Sequence, residues 1–254
     1  MAVKDSDAGP TLAQNLDIGS EDFYYIIKTS PEGANTVLSQ AMCSMCWTST
    51  GINNKGLAIG SSNLGSPARK ARKPLKGGIG NHFIVKPTLQ FCSTTSEAVE
   101  FIKSLPEMCP ETSGYQMNII DAKGNMAVVD KTGPHCVVRQ CEEGMNFTTN
   151  YSLDEKLEAW RMEDADFDEK SRNSRMRAEN IISWHKGLEN KTPTVASVKK
   201  LFSGHNGQGR ICRHGDKASC EGYSRLHFIC YHKTQQIEAT NGLPCENQYQ
   251  KFEI

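Results

Sequence analysis

The spacing of apolar positions along the chain opens in a strand pattern. Residues 11–18 form a short, partly apolar stretch, and residues 22–29 (DFYYIIKT) are aromatic and β-branched, which suits a pleated surface. Pro31-Glu32-Gly33 reads as a turn, and residues 37–47 as a further strand. Residues 56–62 (GLAIGSS) are small and apolar, the composition of a central buried strand. From His82 the period lengthens. Phe83, Ile84, Val85, Leu89 and Phe91 precede a run in which Ser96 is positioned to cap a helix with Ala98, Val99, Phe101 and Ile102 on its apolar face. Strands return at 116–120 and 126–130 around a turn at 121–125, and again at 135–139 and 145–149. Residues 153–190 are highly charged and helix-favouring, with Met176, Ile181, Ile182 and Trp184 as apolar positions. A shorter helix at 194–202, capped by Thr192 or Thr194, leads to closing strands at 226–231 and 236–240.

Strands and helices come in blocks rather than in strict alternation. That order predicts an α+β fold of antiparallel sheets with helices segregated on their outer faces. No composition break divides the 254 residues, so one domain spanning 1–254 is expected. Hydrophobic residues at 37% are enough to bury a core, and a formal net charge of zero gives no pull toward nucleic acid or an anionic membrane. No apolar run is long enough to cross a bilayer. The opening MAVKDSDAGP carries no hydrophobic signal region, and with ten scattered cysteines this suits reduced, buried thiols and a cytoplasmic protein. Asn146, Asn150 and Asn190 open glycosylation triplets, which carry no weight without a secretion signal.

The common catalytic signatures are missing: no G-x-S-x-G elbow, no phosphate-binding loop, no H-E-x-x-H. Cys43 and Cys46 form the one C-x-x-C, with no second pair to complete a zinc site; they read as core thiols or as a redox or metal pair. The seven histidines show no pair at ligand spacing, so no metal is expected. Residues 65–79 gather Arg and Lys among Gly, Ser and Pro, either as a solvated loop or as a cradle for an anionic substrate.

Four polar patches remain: Gln14-Asn15-Leu16-Asp17, the stretch from Gly51 to Asn63, Thr148-Thr149-Asn150-Tyr151 and Gly209-Arg210-Ile211-Cys212-Arg213. Taken singly, an Asn or Asp at a strand end is most simply a turn cap. Together, the Q-N-x-D at 14–17, the G-I-N-x-x-G-L-A-x-x-x-x-N at 51–63, the T-N at 149–150, the I-C-R at 211–213 and the closing stretch from Ile237 to Cys245 resemble one group of enzymes. It is the cysteine N-terminal-nucleophile (Ntn) family that includes isopenicillin-N acyltransferase, acyl-coenzyme A:6-aminopenicillanic acid acyltransferase. The choloylglycine hydrolases are similar at greater distance.

The resemblance implies a four-layer αββα sandwich. It implies an amide hydrolase or acyltransferase for linear non-peptide C–N bonds, working through a cysteine thioester. The cysteine is freed by self-cleavage, and its own α-amine serves as base, which removes the need for a histidine. By the same resemblance Asp17 holds that amine, Asn63 and Asn150 donate N–H to the oxyanion or to the amine, and Arg213 favours the thiolate. A structural salt bridge is the other reading of Arg213. A small-molecule amide or acyl donor is the implied partner, with no bound cofactor and with acyl-coenzyme A admitted as co-substrate. The departures are Tyr151, where the family often has His, and the nucleophile itself. Its cysteine is expected just before Met1, and the first cysteine in the chain is Cys43. An internal start, a trimmed chain or a pseudo-enzyme that binds without turnover would each give this pattern. Truncation fits best because the later patches are intact, and the chain as written is expected to be inactive.

Overall fold

The computed structural model describes residues 1–18, 24–42, 47–65, 78–108, 114–140, 144–155, 157, 168–205, 209–215 and 222–254. Thirteen described strands pair into two sheets, every ladder antiparallel. The first sheet runs β10 (Met145–Asn146), β1 (Ala2–Ser6), β2 (Gly9–Ile18), β11 (Tyr223–Tyr231), β12 (Gln236–Thr240), β13 (Tyr249–Glu253). The second runs in chain order through β3 (Tyr24–Thr29), β4 (Val37–Met42), β5 (Thr50–Asn53), β6 (Ala58–Gly65), β7 (Gly114–Ile120), β8 (Met126–Thr132) and β9 (His135–Gln140).

Side-chain alternation along each strand then sorts the apolar residues into three cores. Leu12 and Leu16 of β2, with Leu226 and Phe228 of β11, face Leu38, Ile52, Ala58 and Ile120 of the other sheet. The opposite face of the second sheet (Ile59, Met117, Val129) packs on α1 (Val85–Phe91) and α2 (Thr95–Ser104). The opposite face of the first sheet (Val3, Ala13, Ile229) packs on Ile181 of α3 (Asp168–Lys186) and on Val198 and Phe202 of α4 (Val195–Phe202). Three cores in sequence make four layers, helices outside and sheets inside. This is the expected αββα sandwich.

Local details refine the sequence reading. The α2 cap is Thr94 rather than Ser96: Thr94 is extended and accepts from the Glu97 backbone N–H, while Glu97 Oε2 accepts from the Ser93 N–H. The T-x-x-E spacing from Thr94 carried that signal. Thr194 caps α4 in a full capping box with Ser197. The expected strand at 145–149 ends at Asn146, because the chain turns away to form one wall of a cavity. On α3 the buried stripe is Ser174, Arg177, Ala178 and Ile181, and Ile182 is exposed. Strands β1 and β13 had no sequence expectation. Cys43, Cys46 and residues 66–77 of the basic stretch lie outside the described residues. Among the described residues no helix is long and apolar enough to cross a membrane.

The G-I-N and G-L-A-I-G elements of the second patch are explained by packing. Asn53 is fully buried; its Nδ2 donates to Leu89 O and Cys92 O, and its Oδ1 accepts from Lys55 and Leu57 N–H. It thus satisfies the last carbonyls of α1 and pins the β5–β6 turn. Gly60 leaves room for Gln14, which crosses between the sheets to donate to Ser61 O and to accept from Thr50 Oγ1. A Cβ at Gly60 would lie 2.5 Å from Gln14 Oε1.

Candidate active site

At one end of the sandwich the two sheets and both outer helices α3 and α4 enclose a cavity of about 210 Å³. Asp17, Asn63 and Asn150 all line it, together with Gln14, Met1 and Arg177. Three residues singled out by separate sequence patches thus meet in one place. Arg213 stands behind that wall.

Asp17 lies near the end of β2, on the face that Ala13 presents to the helices. Its Oδ1 accepts from Ser224 Oγ at 2.6 Å, and Arg213 Nη1 stands 3.9 Å from its Oδ2. Ser224 also accepts from the Arg213 backbone N–H at 2.9 Å and returns its own N–H to Arg213 O at 2.8 Å. Both charged side chains are about 15% exposed, so their attraction is screened less than that of a surface pair. The salt-bridge reading of Arg213 therefore holds, but its carboxylate is the candidate catalytic one. On the same strand face Asn15 donates to Phe202 O and Ile211 O, tying the end of α4 and the 209–213 segment to β2.

The two asparagines are oriented by what they accept. Asn63 Oδ1 takes a hydrogen bond from Asn81 Nδ2 at 3.2 Å. Asn150 Oδ1 takes one from Arg177 Nη2 at 3.2 Å, and Asn150 Nδ2 donates to Asn63 O at 2.7 Å. With both amide oxygens engaged, the nitrogens are the donor ends: among the described residues, both Nδ2 hydrogens of Asn63 and the second of Asn150 remain to be offered. Asn150 has φ +66°, a left-handed conformation that Asn adopts more readily than most residues. Arg177 fixes it by also donating to Thr149 O and Ser174 Oγ. Gly209, at φ +87°, packs its backbone on Met176 and Arg177, where a Cβ would stand 2.6 Å from Met176 Cβ.

Arg177 and Ser224 were not expected. Arg177 sits three residues from Ser174 and four from Ile181, so the helical stripe passes through it, but a cation in a charged segment gives no reason to choose it. Ser224 has no local signal. Tyr151, the departure from the family pattern, carries Arg175 over its ring at 5.1 Å, and its carbonyl holds Gln116 Nε2.

Met1 opens the β1–β2 ladder beside this cavity. It and Ala13 exchange both backbone hydrogen bonds, each 2.8 Å. Burial holds its α-amino group down at about 5. The pairing Ala2↔Leu12 and Val3↔Thr11 sets Met1 against Ala13, on the strand that leads through Gln14 and Asn15 to Asp17.

The family model for acyl-coenzyme A:6-aminopenicillanic acid acyl-transferase matches residues 5–236. No curated protein sequence matches the chain. Among solved structures, penicillin V acylase from Agrobacterium tumefaciens is similar over 100% of this chain and 85% of its own, with a TM-score of 0.62 at 15% identity. A single-residue variant of conjugated bile acid hydrolase from Clostridium perfringens is similar over 100% and 96%, with a TM-score of 0.60 at 11% identity. The Caenorhabditis elegans ortholog of N-acylethanolamine-hydrolyzing acid amidase is similar over 91% and 92%, with a TM-score of 0.56 at 12% identity. At these identities the likeness is one of fold, that of the Ntn hydrolases.

Proposed function

The chain belongs to the acyl-coenzyme A:6-aminopenicillanic acid acyl-transferase family, and from that premise we propose that its cavity cleaves or transfers the acyl group of a linear, non-peptide amide through a cysteine thioester. The nucleophile is a cysteine ahead of Met1. Its thiolate attacks the amide carbonyl, and its α-amine takes the thiol proton and passes it to the departing amine nitrogen. Water or an acceptor amine then attacks the thioester and releases the thiol. Asp17 positions the α-amine, held in turn by Ser224 and Arg213. Arg213 also favours the thiolate. Asn63 and Asn150 donate to the oxyanion, a role worth about 2.7–4 kcal/mol per donor removed in other enzymes.

The observation that carries this reading is the meeting of Asp17, Asn63 and Asn150 at one cavity where the β1–β2 ladder begins. A penicillin, a conjugated bile acid and an N-acylethanolamine, the compound classes in the names of the similar structures, are the amides to try first. Acyl-coenzyme A with 6-aminopenicillanic acid tests transfer.

The test is the N-terminal residue and intact mass of the protein isolated from its source, before and after incubation with these amides. A chain beginning with cysteine that gains one acyl group is the expected result. A chain that begins at Met1, binds an amide and never turns it over removes the nucleophile and leaves a binding protein of the same fold.

A further inference from the structure

Around Arg213, among residues that do not line the cavity, four side chains converge: His205, Cys212, His214 and Cys245. One ligand atom from each lies within 4.8 Å of all the others. The thiols stand 3.6 Å apart, His214 Nε2 is 3.9 Å from Cys212 Sγ and 3.4 Å from Cys245 Sγ, and the two Nε2 atoms are 2.8 Å apart. A tetrahedral zinc ion with bonds of about 2.3 Å to sulfur and about 2.0–2.1 Å to nitrogen needs edges of roughly 3.8 Å between sulfurs, 3.6 Å between sulfur and nitrogen and 3.3 Å between nitrogens. These four edges lie within about half an ångström of the ideal lengths, with the nitrogen–nitrogen edge the shortest in both sets, and the two edges from His205 to the sulfurs are no longer than 4.8 Å.

We infer that His205, Cys212, His214 and Cys245 form a structural Zn²⁺ site. Two thiolates and two neutral imidazoles select a borderline-soft ion, and four protein ligands leave no position open for catalysis. The assembled site is neutral, which suits a cluster that contains the buried Cys212. Binding releases the two thiol protons to solvent and changes no oxidation state.

The backbone around the cluster is already braced. His205 follows α4, Cys212 and His214 flank Arg213, and Cys245 ends the turn after β12. Cys212 N–H donates to Gly204 O at 3.2 Å, and Ser203 Oγ donates to Pro244 O at 3.3 Å, so all three segments touch without the ion. The ion therefore clamps the segment that carries Arg213 against Asp17. This opposes the metal-free expectation from the sequence. That expectation looked for ligand spacings, and Cys245 is 31 residues from His214.

The test uses the full chain purified in reductant, with metal content read by mass spectrometry and the metal-free protein titrated with Co²⁺. One zinc per chain is expected, and the Co²⁺ form should show the visible bands of a tetrahedral ion with thiolate charge transfer. His205→Ala and Cys245→Ser should each abolish stoichiometric retention, while Cys136→Ser, outside the cluster, should retain it. Three results would overturn the inference. One is a metal-free protein whose Co²⁺ spectrum stays octahedral. Another is a Cys212–Cys245 disulfide that persists in reductant. The third is full retention in both cluster variants, which assigns the ion to other cysteines. The Co²⁺ titration of the unaltered chain decides the matter even where a variant fails to fold.

Discussion

Acidification from pH 7 to pH 5 should remove stability that two buried histidines supply. His227, on β11, shares a 2.6 Å hydrogen bond with Tyr249 through Nδ1 and stacks on Phe202. His232 is held through Nδ1 to Gly56 O at 2.6 Å. In each ring Nε2 is buried and has no hydrogen-bond partner among the described residues, so a proton added there would have no acceptor. Burial, helped by the charges of Lys199 and the Met1 amine, pushes His227 down to about 3. Burial pushes His232 down to about 4, against the opposing pull of Gly56 O and Asp121. Both folded values lie below the unfolded value, so the unfolded chain takes up protons first. Stability is complete above about pH 6.5 and is lost as pH falls from there toward the folded values. At pH 5 each histidine has cost about 2 kcal/mol, together about 4 kcal/mol, a large share of the 5–15 kcal/mol that holds a typical domain folded. Burial raises Asp130 above its ordinary value, so the folded chain takes up that proton first and this one carboxylate opposes the histidines as pH falls. Burial raises Glu238, but its bonds to Lys199 and Tyr231 outweigh that and hold it below its ordinary value, so its contribution fades only at lower pH. Urea unfolding followed by tryptophan fluorescence at pH 7 and pH 5 measures the difference, and the midpoint should fall with an unchanged slope. His232→Gln, which can still donate to Gly56 O, should remove about 2 kcal/mol of the pH dependence. A midpoint that stays constant from pH 7 to pH 5, or a His232→Gln variant with the full dependence, would refute the argument.

Asn53→Ala should lower stability by about 1–3 kcal/mol, since it leaves the Lys55 and Leu57 N–H groups without their acceptor and leaves Leu89 O and Cys92 O to Asn35 Nδ2 alone; a thermal melt unchanged from the parent would contradict this. Gly60→Ala should displace Gln14 from Thr50 and Ser61 and cost about 1–3 kcal/mol, read in the same melt. In a chain carrying the cysteine ahead of Met1, Asp17→Asn should abolish turnover, and Asn150→Ala should lower kcat by about 10²–10³-fold, both with the melt retained. Near-normal rates in either variant would withdraw that residue's assignment.

The fold was legible wherever apolar or small residues alternate or run unbroken along a strand. The alternation of residues 11–18, 37–42 and 236–240 gave their strands because burial there alternates or is complete. Strand β1 was invisible because Lys4 and Asp5 are exposed and break the pattern, and β13 because its Gln250 and Lys251 face solvent. The patches found Asp17, Asn63, Asn150 and Arg213 but could not rank the residues around them. Asn53 and Gly60 stand in the same motif as Asn63, yet they serve the packing of α1 and the crossing of Gln14. Arg177 was hidden because, beyond Asn173 and Ser174 on its own helix, it reaches Thr149 and Asn150, 28 and 27 residues away. Contacts of that kind come from the tertiary arrangement, which spacing along the chain does not encode.

The bond between Ser224 and Asp17 spans 207 residues. At ribosomal rates of about 5–20 residues per second, Ser224 is synthesised roughly 10–40 seconds after Asp17. Strands β2 and β11, which carry the two residues, lie side by side near the middle of their sheet and cannot pair until then. A carboxylate that acquires its partners only after nearly the whole chain has emerged makes the chemistry late by construction. A nascent or prematurely terminated chain holds Asp17 without Ser224 or Arg213. The surroundings of Asp17, near the first strands, are thereby conditional on segments made more than 190 residues later.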